Sequence, residues 1–250
     1  MNVLGRHAAE LFQCPGCGYA QFASPSWLDE AYRDPITATD LGLLQRCVRG
    51  AQRIRCLLAA AGRAHEPVLD WGGGYGTLTR LLRDAGIDCR HWDPHCENLF
   101  ARGFESRPTD RRWGAVIALE VFEHLVDPWE FLNEATSVSD LVIFSTDLVS
   151  EPAPPPGWHY YAVEHGQHVG FLSRRGLALV ARRTGMRPMS LRSLHMLSRG
   201  IGPMRRLAMR WSPMRRLAGA FVRTRGLLME DYRMAMDRAP ASSSSSSSME

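Results

Sequence analysis

The chain reads as an α/β protein built on a mostly parallel, doubly wound sheet, on three observations. Strands and helices alternate from residue 67 onward, a glycine-rich turn joins the first strand of that series to its helix, and acidic residues fall at successive strand ends. Crossovers between parallel strands are right-handed, so ligands of such a sheet gather at its carboxyl edge.

The elements follow in order. Residues 1–36 carry no periodic pattern and contain Cys14-Pro15-Gly16-Cys17-Gly18-Tyr19, a CxxCG knuckle. Asp40 to Gly62 is amphipathic and predicts a helix. Beyond it come a strand at 67–71, a helix at 75–85, a strand at 88–92, a helix at 95–102, a strand near 104, a strand at 114–119, a helix at 128–138 and a strand at 140–145. The run Glu151-Pro152-Ala153-Pro154-Pro155-Pro156-Gly157 excludes helix and inner strand and predicts an ordered surface loop leading into a substrate-facing insertion. A helix from an N-cap at Ser173 to Gly185 and a strand at 188–194 end the series. The pattern divides the chain into an irregular segment (1–36), a ligand-binding domain (37–198), a basic helical extension (199–238) and a serine-rich tail without structure (239–250).

The turn Asp70-Trp71-Gly72-Gly73-Gly74-Tyr75-Gly76 follows the apolar run Pro67-Val68-Leu69 and precedes Thr77-Leu78-Thr79-Arg80-Leu81-Leu82. Glycines there allow positive φ and close approach of backbone to a ligand, and the helix start offers free N–H groups. A dinucleotide GxGxxG would need glycine at 77, where threonine stands, whereas DxGxGxG is met by Asp70, Gly72, Gly74 and Gly76. About 20 residues further, Asp93 ends Cys89-Arg90-His91-Trp92-Asp93 and can accept hydrogen bonds from a ribose diol.

Residues from roughly 65 to 190 resemble the class I S-adenosylmethionine-dependent methyltransferases in both the order and the content of these motifs. The resemblance implies a seven-stranded Rossmann-like sheet and S-adenosylmethionine as methyl donor. It implies further that Asp70, Gly72, Gly73, Gly74 and Gly76 line the methionine end of the donor and that Asp93 holds its ribose hydroxyls. Gly114 to Leu125 resembles the family's fourth strand and following loop, with Glu120 against the cofactor and His124 beside the substrate. A helix-terminal charge for Glu120 and a packed ring for His124 are the plain alternatives.

The acceptor chemistry is expected in Trp158 to His168, which concentrates His159, Tyr160, Tyr161, Glu164, His165 and His168 just past the fifth strand. An acceptor loses a proton as the methyl arrives, and histidine titrates near neutral pH, so His165 is the expected base, with Glu164 orienting it and His168 beside it. His124, His159, Tyr160 and Tyr161 are expected to line the substrate. Tyr161, Glu164-His165 and Phe171-Leu172-Ser173 partly match a pattern of bacterial nucleotide-sugar methyltransferases, and the His-Gly-Gln-His element resembles small-molecule enzymes of polysaccharide and natural-product clusters. Either implies a saccharide or nucleotide-linked sugar as acceptor, methylated on O or C. His159, His165 and His168 are also a ligand set for a divalent ion, but without an acidic pair no metal site is assigned. Cys14 and Cys17 resemble half of an N-terminal zinc module; lacking a second pair, they read as a turn rather than a zinc site.

Composition sets limits. The 250 residues can bury one sizeable core, and 45% are hydrophobic. No run is long enough to span a membrane, the N-terminus has no apolar signal core, and six scattered cysteines suit reduced thiols, so the protein is expected to be cytoplasmic. All 30 basic residues are arginine, which removes lysine Schiff-base chemistry and P-loop phosphate binding. Eight arginines and no acid lie between Arg199 and Arg225, a stretch that contains the imperfect repeat Gly202-Pro203-Met204-Arg205-Arg206-Leu207-Ala208 and Ser212-Pro213-Met214-Arg215-Arg216-Leu217-Ala218. Two proline-initiated basic helices are expected there, as a solvated lid, a homodimer flank, or a binder of anions or membrane surfaces. The rivals to a small-molecule methyltransferase are an RNA methyltransferase, opposed by the lack of a recognisable RNA module, and a non-catalytic cofactor-binding subunit that recruits a partner through the basic tail.

Overall fold

The two middle strands of the central sheet are near-continuous apolar runs, and because successive side chains point to opposite faces each feeds two separate cores. In the computed structural model, which describes residues 1–33, 35–37, 40–222 and 224–238, that sheet comprises β5 (Val68–Trp71), β6 (Cys89–Trp92), β7 (Ala115–Ala118), β8 (Leu141–Ser145), β10 (Arg187–Leu191) and β11 (Leu194–Ser198). The strand order is β10-β11-β8-β7-β5-β6, with β6, β5, β7 and β8 parallel and the β10–β11 hairpin antiparallel at one edge. Val68, Ile117, Ile143 and Met196 face one core, covered by α2 (Leu43–Ala61) and α3 (Thr77–Asp84). Leu69, Val116, Phe144 and Leu197 face the other, covered by α4 (Pro128–Val138) and α5 (Arg174–Thr184). Asp127 and Ser173 cap the latter helices through hydrogen bonds accepted from Trp129 N and Gly176 N.

Six strands form where the resemblance implies seven. The segment near 104 contributes only a parallel bridge between His91 and Glu105. The helix expected at 95–102 is also absent, because the donors its second turn would need, Leu99, Phe100 and Ala101 N–H, are taken by the Tyr75 carbonyl and Asn98 Oδ1. Asp93 Oδ1 accepts the N–H groups of His95 and Cys96, and Asn98 Oδ1 that of Ala101, while Leu99 and Phe100 donate to the Tyr75 carbonyl. The strand expected at 188–194 is a hairpin that turns at Arg192 and Ser193, with β11 as its buried second strand.

Residues 1–36, expected to be irregular, form two small sheets. Strands β1 (Asn2–Val3) and β2 (His7–Ala8) pair with each other; β3 (Leu11–Gln13) and β4 (Ala20–Phe22) join β9 (Gly170–Phe171) from the far side of the Pro-rich loop. A third core of Phe22, Trp27, Tyr161, Val169 and Phe171 seals this layer, and a short helix α1 (Leu28–Ala31) leads from it toward α2. Cys14 and Cys17 shape the β3–β4 turn, where Gly18 N donates to Cys14 O and Ser173 Oγ to Cys17 O.

The basic repeat forms α6 (Pro203–Arg210) and α7 (Ser212–Phe221), which pack on α2, and α8 (Leu228–Arg238) returns to α3. Arg83 and Asp231, each 4% exposed at the side chain, form a bidentate pair at 2.7 and 2.8 Å. Arg83 also meets Asp88 at 2.7 Å and lies over the Phe104 ring. The serine-rich residues 239–250 lie outside the described residues. Among the described residues no helix is long and apolar enough to cross a membrane.

Two buried charges make this architecture testable. Removing Asp231 leaves Arg83 only the half-exposed Asp88 as a charge partner, so Asp231→Ala should cost less than a fully stranded buried charge, about 2–3 kcal/mol in urea denaturation, with part of the loss recovered by pairing it with Arg83→Met. A single variant as stable as wild type would show that α8 does not depend on the pair. At the end of β5, burial pushes the Asp70 carboxyl up to about 6, although Thr79 and His91 favour its charged form. Folded Asp70 therefore keeps its proton between about pH 4 and 6, where the unfolded chain has lost it. That share of stability is present at low pH and disappears as pH rises through about 6. Relative to Asp70→Asn, wild type should lose about 1–3 kcal/mol between pH 4 and pH 7; parallel profiles would contradict the assignment.

Candidate functional site

The carboxyl ends of β5, β6 and β7 open into a cavity of about 840 Å³ that runs from the glycine loop to the histidine-bearing insertion. Asp70, Gly72, Gly73, Gly74, Asp93, Glu120, His124, His159, Tyr160, Glu164, His165 and His168 all line it. Gly76 and Tyr161, also predicted site residues, do not. Gly76 is the N-cap of α3 at φ +81°, where a Cβ would strike the Asn98 carboxamide and Ala101. Tyr161 is buried in the third core and donates its hydroxyl to Pro154 O at 2.7 Å.

The glycine loop is fixed from beneath and open above. Thr79 Oγ1 donates to Asp70 Oδ2 at 2.8 Å, and His91 Nε2 donates to Gly74 O at 2.9 Å. At Gly74, φ is +55°, and an added Cβ would meet only Ile36 Cδ1, at 3.5 Å, so the backbone presents a bare surface to the cavity. Asp93 accepts the Gly74 N–H through Oδ2 at 2.8 Å and two further N–H groups through Oδ1, which leaves acceptor capacity on Oδ2 for a hydroxyl. Glu120 adopts a left-handed φ of +55°, uncommon for a residue with a Cβ. Ser145 holds it there by accepting its N–H at 2.7 Å and donating to its carboxylate. A bare glycine cradle, free helix-start N–H groups and two carboxylates at the strand ends on either side of β5 fit an adenosyl cofactor.

The other end of the cavity is histidine-rich and only partly as predicted. His165 Nδ1 accepts the Gln167 N–H at 3.2 Å, so its proton sits on Nε2 and the ring faces the cavity as a donor. Glu164 is exposed and makes no hydrogen bond to His165. His168 is arranged oppositely: Nδ1 donates to Tyr160 O at 2.7 Å, leaving a bare lone pair on Nε2. Burial pushes the His168 imidazole down to about 4 and lowers that of His124 as well. Glu123, 0% exposed, accepts the Tyr160 hydroxyl through Oε1 at 2.7 Å, and burial followed by the Glu120 charge pushes its carboxyl up to about 8.

Sequence reasoning passed over two contributions. Tyr32, Ile36, Asp40, Arg46 and Cys47 wall the cavity from the segment around the start of α2. The polar pair Asp40 and Arg46, hydrogen-bonded at 2.5 Å at the head of an amphipathic helix, was the available signal. Glu123 lies in a predicted segment, but nothing in its spacing marks it as buried.

Solved structures are similar to parts of this chain. An O-methyltransferase family protein from Burkholderia thailandensis is 16% identical, with a TM-score of 0.47 over 71% of this chain and 68% of its own. DesVI of Streptomyces venezuelae is 13% identical, with a TM-score of 0.47 over 63% of this chain and 94% of its own. TnmH is 20% identical, with a TM-score of 0.44 over 69% of this chain, which spans 60% of its length. Among curated protein sequences none matches. A family model described as a methyltransferase domain matches residues 45–191, more than half of the chain, which therefore belongs to the class I S-adenosylmethionine-dependent methyltransferases.

Proposed function

We propose that the protein methylates an oxygen or carbon of a small molecule, a saccharide or nucleotide-linked sugar, in the histidine-rich end of its cavity. The observation that carries this reading is the single continuous cavity joining the glycine loop, Asp93 and Glu120 to His124, His165 and His168. S-adenosylmethionine supplies an electrophilic methyl on a sulfonium. Asp70, Gly72, Gly73 and Gly74 position its methionine end, Gly76 sets the helix start behind them, and Asp93 and Glu120 receive its hydroxyls. At the acceptor end His165 donates Nε2–H to the incoming oxygen and orients it, while the bare nitrogen of His168 takes up its hydrogen bond. The proton released as the methyl arrives passes to His168 Nε2 and from there to solvent, and Glu164 lines the same cavity without a hydrogen bond to His165. His159 and Tyr160 line the acceptor's path, and positioning within this space supplies most of the rate.

The C-terminal arginines support a small acceptor over RNA. Arg205 donates to Ala61 O at 2.8 Å, Arg206 to Pro188 O at 3.0 Å and Arg215 to Met209 O at 2.6 Å, so these side chains satisfy the protein's own carbonyls.

Calorimetric titration with S-adenosylhomocysteine tests the cofactor half. Wild type should bind at micromolar concentration, and Asp93→Ala should weaken binding by about 1–3 kcal/mol, the loss of a charged hydrogen-bond partner, with a cooperative melt above the titration temperature as the control for folding. Absence of binding would remove the proposal. Labelled methyl transfer to nucleotide sugars and saccharides, with RNA in parallel, tests the acceptor half; label entering only RNA would overturn it.

A further inference from the structure

The geometry points to a site for one divalent transition-metal ion, of the zinc or ferrous kind, held by Glu123, His124 and His168 at the acceptor end of the cavity. The inference deepens the proposed function and rests on its reading of that end as the acceptor site.

One ligand atom from each of the three side chains lies within 4.8 Å of the others. Ligands about 2.1 Å from an ion stand about 3.4 Å apart, so an ion would draw the cluster in by roughly 1 Å. Glu123 supplies the carboxylate that the histidines of the insertion lack in sequence, and His159 takes no part.

The carboxylate itself is the independent sign. Glu123 is fully buried, and its Oε2 has no hydrogen-bond partner. Among the described residues no arginine or other cation pairs with it. A buried carboxyl oxygen left without a hydrogen bond is costly even when the group is neutral, and an ion that displaced the proton would supply its partner. The second contacts of all three residues are already in place. Tyr160 donates its hydroxyl to Glu123 Oε1 at 2.7 Å and accepts His168 Nδ1–H on its carbonyl at 2.7 Å. Tyr32 Oη lies 3.0 Å from His124 Nδ1. Ligating histidines commonly engage their other nitrogen in this way, which aims the free nitrogen at the metal. Thr146 Oγ1 in turn reaches the Tyr160 hydroxyl at 3.1 Å.

Two imidazoles and one carboxylate select zinc, iron or a similar first-row ion over magnesium, and three protein ligands leave positions open toward the cavity. An acceptor hydroxyl would occupy such a position where it would otherwise bond to His168. The acceptor class is thereby narrowed to molecules presenting an oxygen donor.

The test uses the full-length chain after chelator treatment, titrated calorimetrically with zinc and followed with cobalt by visible absorption. One ion should bind per chain, with a ligand-field spectrum of nitrogen and oxygen donors. His168→Gln and Glu123→Gln should each weaken binding at least 100-fold, and Tyr160→Phe about 10- to 100-fold. The Cys14→Ser/Cys17→Ser variant should bind as wild type. No stoichiometric binding, or binding abolished by the cysteine substitutions and unmoved by His168→Gln, overturns the inference. Cobalt absorption of thiolate type would do so even if a histidine variant failed to fold. Titrating the same metal-free protein with S-adenosylhomocysteine separates the two proposals, because cofactor binding without metal binding sinks only this one.

Discussion

The loop between β5 and α3 hangs on one buried carboxylate. Asp70 is buried at the end of its strand, and the Thr79 hydroxyl from the first turn of α3 reaches back to it. His91, from the neighbouring strand, bonds to Gly74 O, so the two strands and the helix converge on five residues. A loop so anchored needs no ligand to keep its shape, and preorganisation of this kind lowers the cost of ordering a site on binding. The anchor is polar and desolvated, which binds its integrity to proton concentration.

The acceptor half depends on a different constraint, the pairing of β4 with β9 across about 150 residues of chain. Strands of two or three residues have no stability alone, and each becomes tenable when Phe22, Trp27, Tyr161 and Phe171 close a core between them. Gly166 shows the tightness of that closure, since its carbonyl accepts the Trp27 indole N–H at 2.8 Å and its Cβ position faces the same ring. The histidines that follow are thus held by the N-terminal layer rather than by the main sheet.

The same contrast explains what the amino-acid sequence discloses. The glycine loop, Asp93 and Glu120 are legible because their chemistry is local: a strand, a turn and a helix in one span, with carboxylates at strand ends. The helices α2 to α5 are legible from period and caps. The N-terminal sheets are not, because a three-residue strand leaves no periodic trace and its partner lies far along the chain. Strand β11 hides behind His195 and Ser198; His195 is satisfied only in the fold, by Ser190 and Thr146. Residues 95–102 mislead for the opposite reason, since their composition suits a helix while the Tyr75 carbonyl and Asn98 capture the donors it requires.

The arginine-rich extension completes this logic. Helix ends leave carbonyls without partners, and a guanidinium carries five donors on a long stem. Arg205 covers the carbonyl at the end of α2, and Arg215 that of Met209 near the end of α6. Arg83 receives α8 through Asp231 on one side and stacks on Phe104 on the other. A positive charge that looks outward in the sequence is in these places directed inward, as a connector between secondary-structure elements. Its effect on function is indirect: α6 and α7 press on α2, and the head of α2 supplies Asp40, Arg46 and Cys47 to the cavity wall. The extension thereby stabilises the wall against which the ligands must close.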